Sequence, residues 1–407
     1  MKRSLVLVLV LTLTLAVFAR TPSSHAQDKV TIQLMGWSSS DAENAALQSM
    51  VDAFEEANPN IAVDLQLVPE FDTTLQAAFA SGDAPNVFYV DSSKLPDLVD
   101  AGVIAAGDDQ IVDQDDIYPS LLDVFTIDDT LYCAPKDFST LTLQYNKDLF
   151  DAAGVDYPTS DWTWDDLAAA AEALTEGDVV GLVVPAELPR WLPFLYQAGG
   201  SILSEDGTEV TFDSEETAAA LDFYVGLVTD GFAAPPSAID SGWGGEALGK
   251  QRAAMAMEGN WIIGAMEENY PDVNYGIAEL PAGPAGKATM AFTVCYGVAA
   301  DNDHPEESWA LANFLTGKDG ALMVAEAGFG VMPARLSAAD TWLQVHGEDF
   351  QPFVTGADYS HRWVLPIGFG DFTDTFNNDL KEAMAGNLTT EDIIADSVDV
   401  ANEILGQ

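Results

Sequence analysis

Hydrophobic and polar positions alternate with a period of two over VTIQLMG, residues 30–36, which predicts a strand. The period then changes. Leu47, Met50, Val51 and Phe54 fall on one helical face, Ser40 and Glu43 stand ahead of them at capping-box spacing, and Asn58-Pro59 predicts the end of that helix. IAVDLQLV (61–68) reads as a strand, FDTTLQAAFASG as a helix, NVFYV (86–90) as a strand and SKLPDLVDAG as a helix. This βαβαβ opening predicts a mostly parallel sheet covered by helices. After a less regular middle, the pattern predicts a helix from about Trp164 to Leu174, a strand over VVGLVV (179–184) and a helix from about Glu215 to Thr229. NYGIAEL and AFTVCYGVA read as further strands, and 305–325, 373–385 and 390–405 as helices. A second α/β lobe follows. No Gly/Ser-rich tether separates two self-contained halves, so strands passing between the lobes are expected to join them.

Length and composition support two cores. The 407 residues exceed the size at which one hydrophobic core stops growing, and 48% hydrophobic with 10% aromatic content can fill two. Lys2 and Arg3 precede an apolar run from Leu5 to Phe18 and the small-residue site Ser24-His25-Ala26, so residues 1–26 read as a cleaved secretory signal. The mature protein is therefore expected to be exported, to the periplasm or the outer face of the cytoplasmic membrane. No cysteine follows the cleavage site, so the usual lipoprotein attachment is not expected. Without Lys2, Arg3 and Arg20 the 15 basic residues fall to 12 against 66 acids, a formal charge of −54. That excludes nucleic acid as a partner and repels anionic ligands. The acidic run DDQIVDQDD (108–116) lacks the Gly turn and distal Glu of an EF-hand loop, and no metal or other cofactor is expected.

The catalytic search is negative: GxSxG, HExxH, P-loop and GxGxxG motifs are missing, and His304, His346 and His361 are scattered without metal spacing. No catalytic residue is assigned. The chain instead sets aromatics beside short polar groups where strands give way to loops: Trp37 in GWSSSD, Tyr89 and Asp91 in FYVDSS, Trp191 in AELPRW, Trp243 in SGWGG, Trp261 in EGNW, Trp363 in SHRWVLP. Ligands of open α/β sheets bind outside the carboxyl ends of strands. An indole covers the apolar face of a sugar ring while Asp, Glu, Asn and Arg bond its hydroxyls, so the mixture suits a carbohydrate. Core packing remains open for each of these tryptophans, as does capping or salt-bridging for Asp91, Ser139, Glu187 and Arg190. Trp162, Trp164, Trp309 and Trp342, on helical patterns, are assigned to packing. Within EGNW, residues 253–257 read as a buried strand, Glu258 to Asn260 as a turn, and Trp261 as the opening of a helix.

PKDFSTLTLQYNKDLFDAAGV (135–155) resembles a segment of the extracellular solute-binding proteins of ABC importers, in the sugar-binding family that includes maltose-binding proteins. TWDDLAAAAEAL (163–174), MAMEGNWIIGAM (255–266), NYGIAELPAGPAGKAT (274–289) and WALANFLTGKDGALMVAEAGFGVMPAR (309–335) resemble further segments of that family in its order. The resemblance implies a two-lobed periplasmic-binding-protein-like fold of type II whose lobes hinge over a sugar. It places an N-terminal lobe at 28–138 plus 290–335 and a C-terminal lobe at 139–289 plus 336–407. It implies ligand contacts near Trp37, Ser38, Asp91, Asp137, Ser139, Glu187, Arg190, Trp191, Asn260, Trp261 and Trp363; Trp243 is added from its loop context alone. Cys133 and Cys295 would lie on neighbouring strands at the lobe crossing, where a disulfide and two buried thiols are equally open. The expected function is a monomeric, non-enzymatic binding protein that captures a neutral mono- or oligosaccharide and delivers it to an ABC permease. The alternatives are a secreted carbohydrate-active enzyme, or a binding protein for a polyol or glycerol-phosphate-type solute. The scarcity of bases argues against phosphate.

Overall fold

The alternating segment Val30–Trp37 forms strand β1, followed in chain order by β2 (Ile61–Val68), β3 (Val87–Asp91), β4 (Thr126–Ile127), β5 (Thr130–Leu131), β6 (Ala134–Thr140) and β7 (Thr142–Asn146). The rest are β8 (Val180–Val183), β9 (Ala233–Ala234), β10 (Ala253–Glu258), β11 (Tyr275–Ala278), β12 (Thr289–Val298), β13 (Met332–Pro333) and β14 (Ser360–Arg362). The computed structural model describes residues 29–204, 206–328 and 330–406; the expected leader at 1–26 lies outside them. No helix among the described residues is long and apolar enough to cross a membrane.

Two sheets organise the molecule. The first runs β13-β6-β12-β3-β1-β2, with β14 beside β12, and the second runs β11-β7-β10-β8-β9. β1 pairs in parallel with β2 and β3, as the βαβαβ opening predicts, whereas β12 returns antiparallel to β3 and β6. The helix Asp41–Ala57 buries Leu47, Met50, Val51 and Phe54, the face read from spacing, against Ile32, Leu34 and Phe88 of the first sheet. The second sheet builds its own core from Leu143, Leu182, Met255 and Met257, packed with Trp164 and Trp191. Helices Gly370–Met384 and Thr390–Leu405 pack on each other and on Glu215–Thr229, so the C-terminal pair belongs to this second lobe.

The lobes are joined by strands. Only Leu141 separates β6 in the first sheet from β7 in the second. Backbone groups buried at such a crossing must be paired. Leu141 N–H donates to Met290 O at 3.1 Å, the Thr289 hydroxyl donates to Leu141 O at 2.7 Å, and the Thr140 hydroxyl donates to Phe353 O at 2.6 Å.

Three local expectations shift. The helix predicted over 305–325 is two, Pro305–Thr316 and Lys318–Ala327, interrupted at Gly317. There the Thr316 hydroxyl bonds back to Ala312 O, and a Cβ on Gly317 would lie 2.6 Å from Asn313 O. Ser40 caps the first helix by accepting from Glu43 N–H at 3.2 Å, but the Glu43 carboxylate turns to Lys136 instead of completing a capping box. Glu258 is the last residue of β10, not part of the turn.

Cys133 and Cys295 are bonded, with Cα atoms 5.7 Å apart and both residues fully buried. Cys295 on β12 stands opposite Pro135 near the start of β6, so the bond ties β12 to the residue just before β6. The ring it closes spans 162 positions of sequence, a long loop whose closure restricts the unfolded chain. Replacing both cysteines with alanine is expected to lower unfolding stability by about 2–5 kcal/mol in a denaturant titration, with unchanged far-ultraviolet dichroism. An unaltered midpoint contradicts this.

His346 closes the helix Ala339–His346 with its ring 4.5 Å from that of Trp342 and 5.5 Å from that of Phe350. Its Nε2 is buried without a partner among the described residues, and burial pushes its pKa down to about 4. A depressed histidine favours the fold while neutral. Its contribution is complete above the unfolded pKa of about 6.5 and is lost as pH falls toward about 4. His346→Phe should flatten that part of the stability profile relative to the unaltered protein, a difference read from melts at pH 4 to 7.

Candidate functional site

A cavity of about 530 Å³ opens between the two sheets at the carboxyl ends of the parallel strands. Trp37 ends β1 and Asp91 ends β3, while Ser39 and Ser40 come from the turn that starts the helix Asp41–Ala57. Trp37 is fixed edge-on against Phe71 (5.6 Å) and Tyr89 (4.9 Å). β6 contributes Lys136, Asp137 and Ser139; β12 contributes Phe292 and Val294. Arg190, Trp243, Trp261 and Glu268 enter from the second lobe.

The first wall holds a compensated cation. Lys136 Nζ bonds Glu43 Oε1 at 3.1 Å and the neighbouring Asp137 carboxylate, and lies 5.3 Å from the centre of the Tyr89 ring. Burial opposes the Lys136 charge, but the Asp137 and Glu43 carboxylates outweigh it and hold the ammonium well above the ordinary lysine range. Burial likewise raises Asp137, against the pull of Lys136, and pushes the Tyr89 hydroxyl up to about 12. Burial also raises Asp91, although its carboxylate accepts from the Ser93 N–H (2.9 Å) and hydroxyl (2.6 Å).

The opposite wall is built on Glu258, 1% exposed at the end of β10. Arg190 Nη2 bonds Glu258 Oε2 at 3.0 Å, and the Trp261 indole N–H donates to the same oxygen at 3.1 Å. The Arg190 guanidinium lies over the Trp261 ring at 5.0 Å and the Phe292 ring at 5.4 Å. Gln144 fixes the strand end with two bonds: Glu258 N–H donates to its Oε1, and its Nε2 donates to Glu258 O, each at 2.9 Å. Burial raises the Glu258 pKa, with Arg190 and the indole N–H opposing. A Cβ at Gly259 would sit 2.2 Å from the Trp261 ring, and one at Gly245 would sit 2.1 Å from that of Trp243. Glycine is what lets both indoles fold back against the backbone.

The structure brings Trp37, Asp91, Asp137, Ser139, Arg190, Trp243 and Trp261 to this cavity. It does not bring Trp191. That indole is fully buried against Phe212 (5.7 Å) and Phe376 (4.8 Å), because Leu188–Ala198 is a helix that turns Leu188, Trp191, Leu192 and Leu195 into the core. Asn260 is also buried, its Nδ2 donating to Gly330 O at 2.9 Å. Ser38 accepts from Asn44 Nδ2 at 3.2 Å outside the cavity, and Glu187 is an exposed residue at the start of the Leu188–Ala198 helix. Trp363 is half-buried on the second core, its carbonyl accepting from Ser92 Oγ at 2.7 Å. Sequence reasoning missed Glu43, Lys136, Glu268 and Phe292. Lys136 carried a usable signal, since a base within a strand is conspicuous in a chain with so few.

The pattern of the family described as "Bacterial extracellular solute-binding protein" matches residues 37–322. The fold superimposes at a TM-score of 0.86 on an ABC substrate-binding protein of Listeria monocytogenes in complex with cycloalternan, 29% identical, covering 93% of this chain and 100% of that one. A Brucella abortus (strain 2308) protein named as a binding protein is 25% identical over 367 residues, 87% of this chain and 88% of its own. The multiple sugar-binding protein of Streptococcus mutans is 21% identical over 315 residues, 72% of this chain and 73% of its own. The family and these relatives are binding proteins, not enzymes.

Glu258→Ala would leave Arg190 and the Trp261 N–H without their shared acceptor. Removing one partner of a buried ion pair is expected to cost about 3–5 kcal/mol, measured in a denaturant melt, with altered Trp261 fluorescence. A loss under about 1 kcal/mol contradicts that role for the carboxylate.

Proposed function

The chain belongs to the bacterial extracellular solute-binding protein family, and on that premise we propose that it captures a neutral mono- or oligosaccharide between its lobes and delivers it to the membrane permease of an ABC importer. The observation that carries this reading is one cavity of about 530 Å³ lined by three indoles, Trp37, Trp243 and Trp261, beside Asp91, Asp137, Ser139 and Arg190. Flat apolar faces next to directed donors and acceptors match the two chemistries of a sugar ring. The named ligand of the Listeria monocytogenes neighbour and the name of the Streptococcus mutans relative support a sugar.

Charge narrows the class to neutral solutes. Lys136 is held between two carboxylates and Arg190 is paired with Glu258, so neither cation is left for a phosphate or carboxylate ligand. The proposed lobes are 28–138 plus 290–335 and 139–289 plus 336–407, with the correction that Trp342, Phe353 and β14 pack on the first lobe, and they hinge where β6 passes into β7 and where β12 begins. Sugar bound to both walls favours the closed arrangement, and the permease reads the closed surface of an exported monomer.

Calorimetric titration against a panel of malto-oligosaccharides and other neutral glycans tests the reading, with solution scattering to follow compaction. Trp261→Ala is expected to weaken the bound sugar by about 1–3 kcal/mol, the range of aromatic stacking contacts, with little loss of stability without ligand. A variant that melts early yet binds with unchanged affinity overturns the stacking role. Binding of anionic sugars in preference to every neutral one overturns the neutral-solute reading.

A further inference from the structure

The helix Asp41–Ala57 of the first lobe and the helix Ile262–Asn269 of the second meet at the edge of the cavity. Glu268 Oε1 accepts from Ala42 N–H at 2.8 Å, a contact between residues 226 positions apart. Ala42 lies in the first turn of its helix, where backbone N–H groups have no partner within the helix. Ser40 already satisfies Glu43 N–H there, and the bond to Ala42 N–H comes from the opposite lobe. A carboxylate is favoured at that end by the helix dipole as well as by the hydrogen bond. Glu268 is exposed and on neither hydrophobic core, so the packing of its own lobe does not require the contact. It also lines the cavity, beside the Ser39–Ser40 turn that it holds.

We propose that Glu268 is a cross-cleft latch, a positioning residue that biases the ligand-free protein toward the closed arrangement and thereby raises its affinity for solute. This rests on the two-lobe binding reading above. A ligand that requires the closed state binds with an apparent affinity scaled by the fraction already closed. An intramolecular bond spanning the cleft raises that fraction before any solute arrives. Because the contact is exposed, salt weakens it.

Small-angle scattering on the ligand-free protein tests the latch without reference to any sugar. Glu268→Ala should enlarge the radius of gyration, with the closed-to-open ratio falling roughly two- to fivefold. Glu268→Gln, which keeps a neutral acceptor, should fall between. Added salt should move the unaltered protein toward the Glu268→Ala profile. Glu267→Gln, which removes a neighbouring charge without touching the contact, should scatter as the unaltered protein does. Melting temperatures close to the parent's verify that each variant folds. Superimposable profiles for Glu268→Ala and the parent overturn the latch, as does equal expansion in Glu267→Gln. A scattering shift in a protein that binds no glycan of the panel leaves the latch standing and removes the sugar reading instead.

Discussion

One strand, the 10-residue Thr289–Val298, holds the cleft together. It lies between β3 and β6 and pairs with β14, so the first wall of the cavity is set by hydrogen-bond register, not by loop packing. Val294 stands opposite Asp91 on one side and Asp137 on the other, and Phe292 stands opposite Ser139. A register shift between Val294 and Cys295 interrupts the ladder at that point, the kind of bulge that re-aims side chains beside a site. The same strand begins where the chain passes between lobes, so that crossing and the floor of the cavity share one backbone.

Electrostatics at this floor follow from scarcity. With 66 acids in the chain, a buried base is surrounded by candidates for pairing, and both cavity cations are compensated. Burying a charge without a partner is far more costly than burying a matched pair, so each cation is bonded before a ligand arrives. What remains for a solute is a polar, aromatic surface on which both cations are already paired, while the Arg190 Nε is buried without a partner among the described residues.

Much of the local structure was legible because period and turn chemistry are local. The buried face of the first helix, the strand before EGNW and the helix opened by Trp261 all follow from spacing over a few residues. The site was legible only in part. Arg190 and Trp191 are neighbours in AELPRW, yet a helix sends one to the cavity and the other to the core. Reading AELPRW as a loop hid that split; reading its LPRWLPFL spacing as a helix would have exposed it. Asn260 lies outside the cavity for a different reason: its partner, Gly330, comes from a distant segment that spacing alone does not bring near. Glu268 is likewise visible only once two lobes face each other.

The Cys133–Cys295 bond has a topological consequence. Every strand of the second sheet, from β7 to β11, lies between these two cysteines. That sheet is therefore strung on a covalent ring whose entry and exit are tied together inside the first sheet, not at the crossing by Leu141. A single backbone cut anywhere between Cys133 and Cys295 leaves the molecule in one piece until reductant is added. During biosynthesis the ring cannot close until the segment reaching Cys295 has been made, so the bond forms only after the chain of that entire sheet is present.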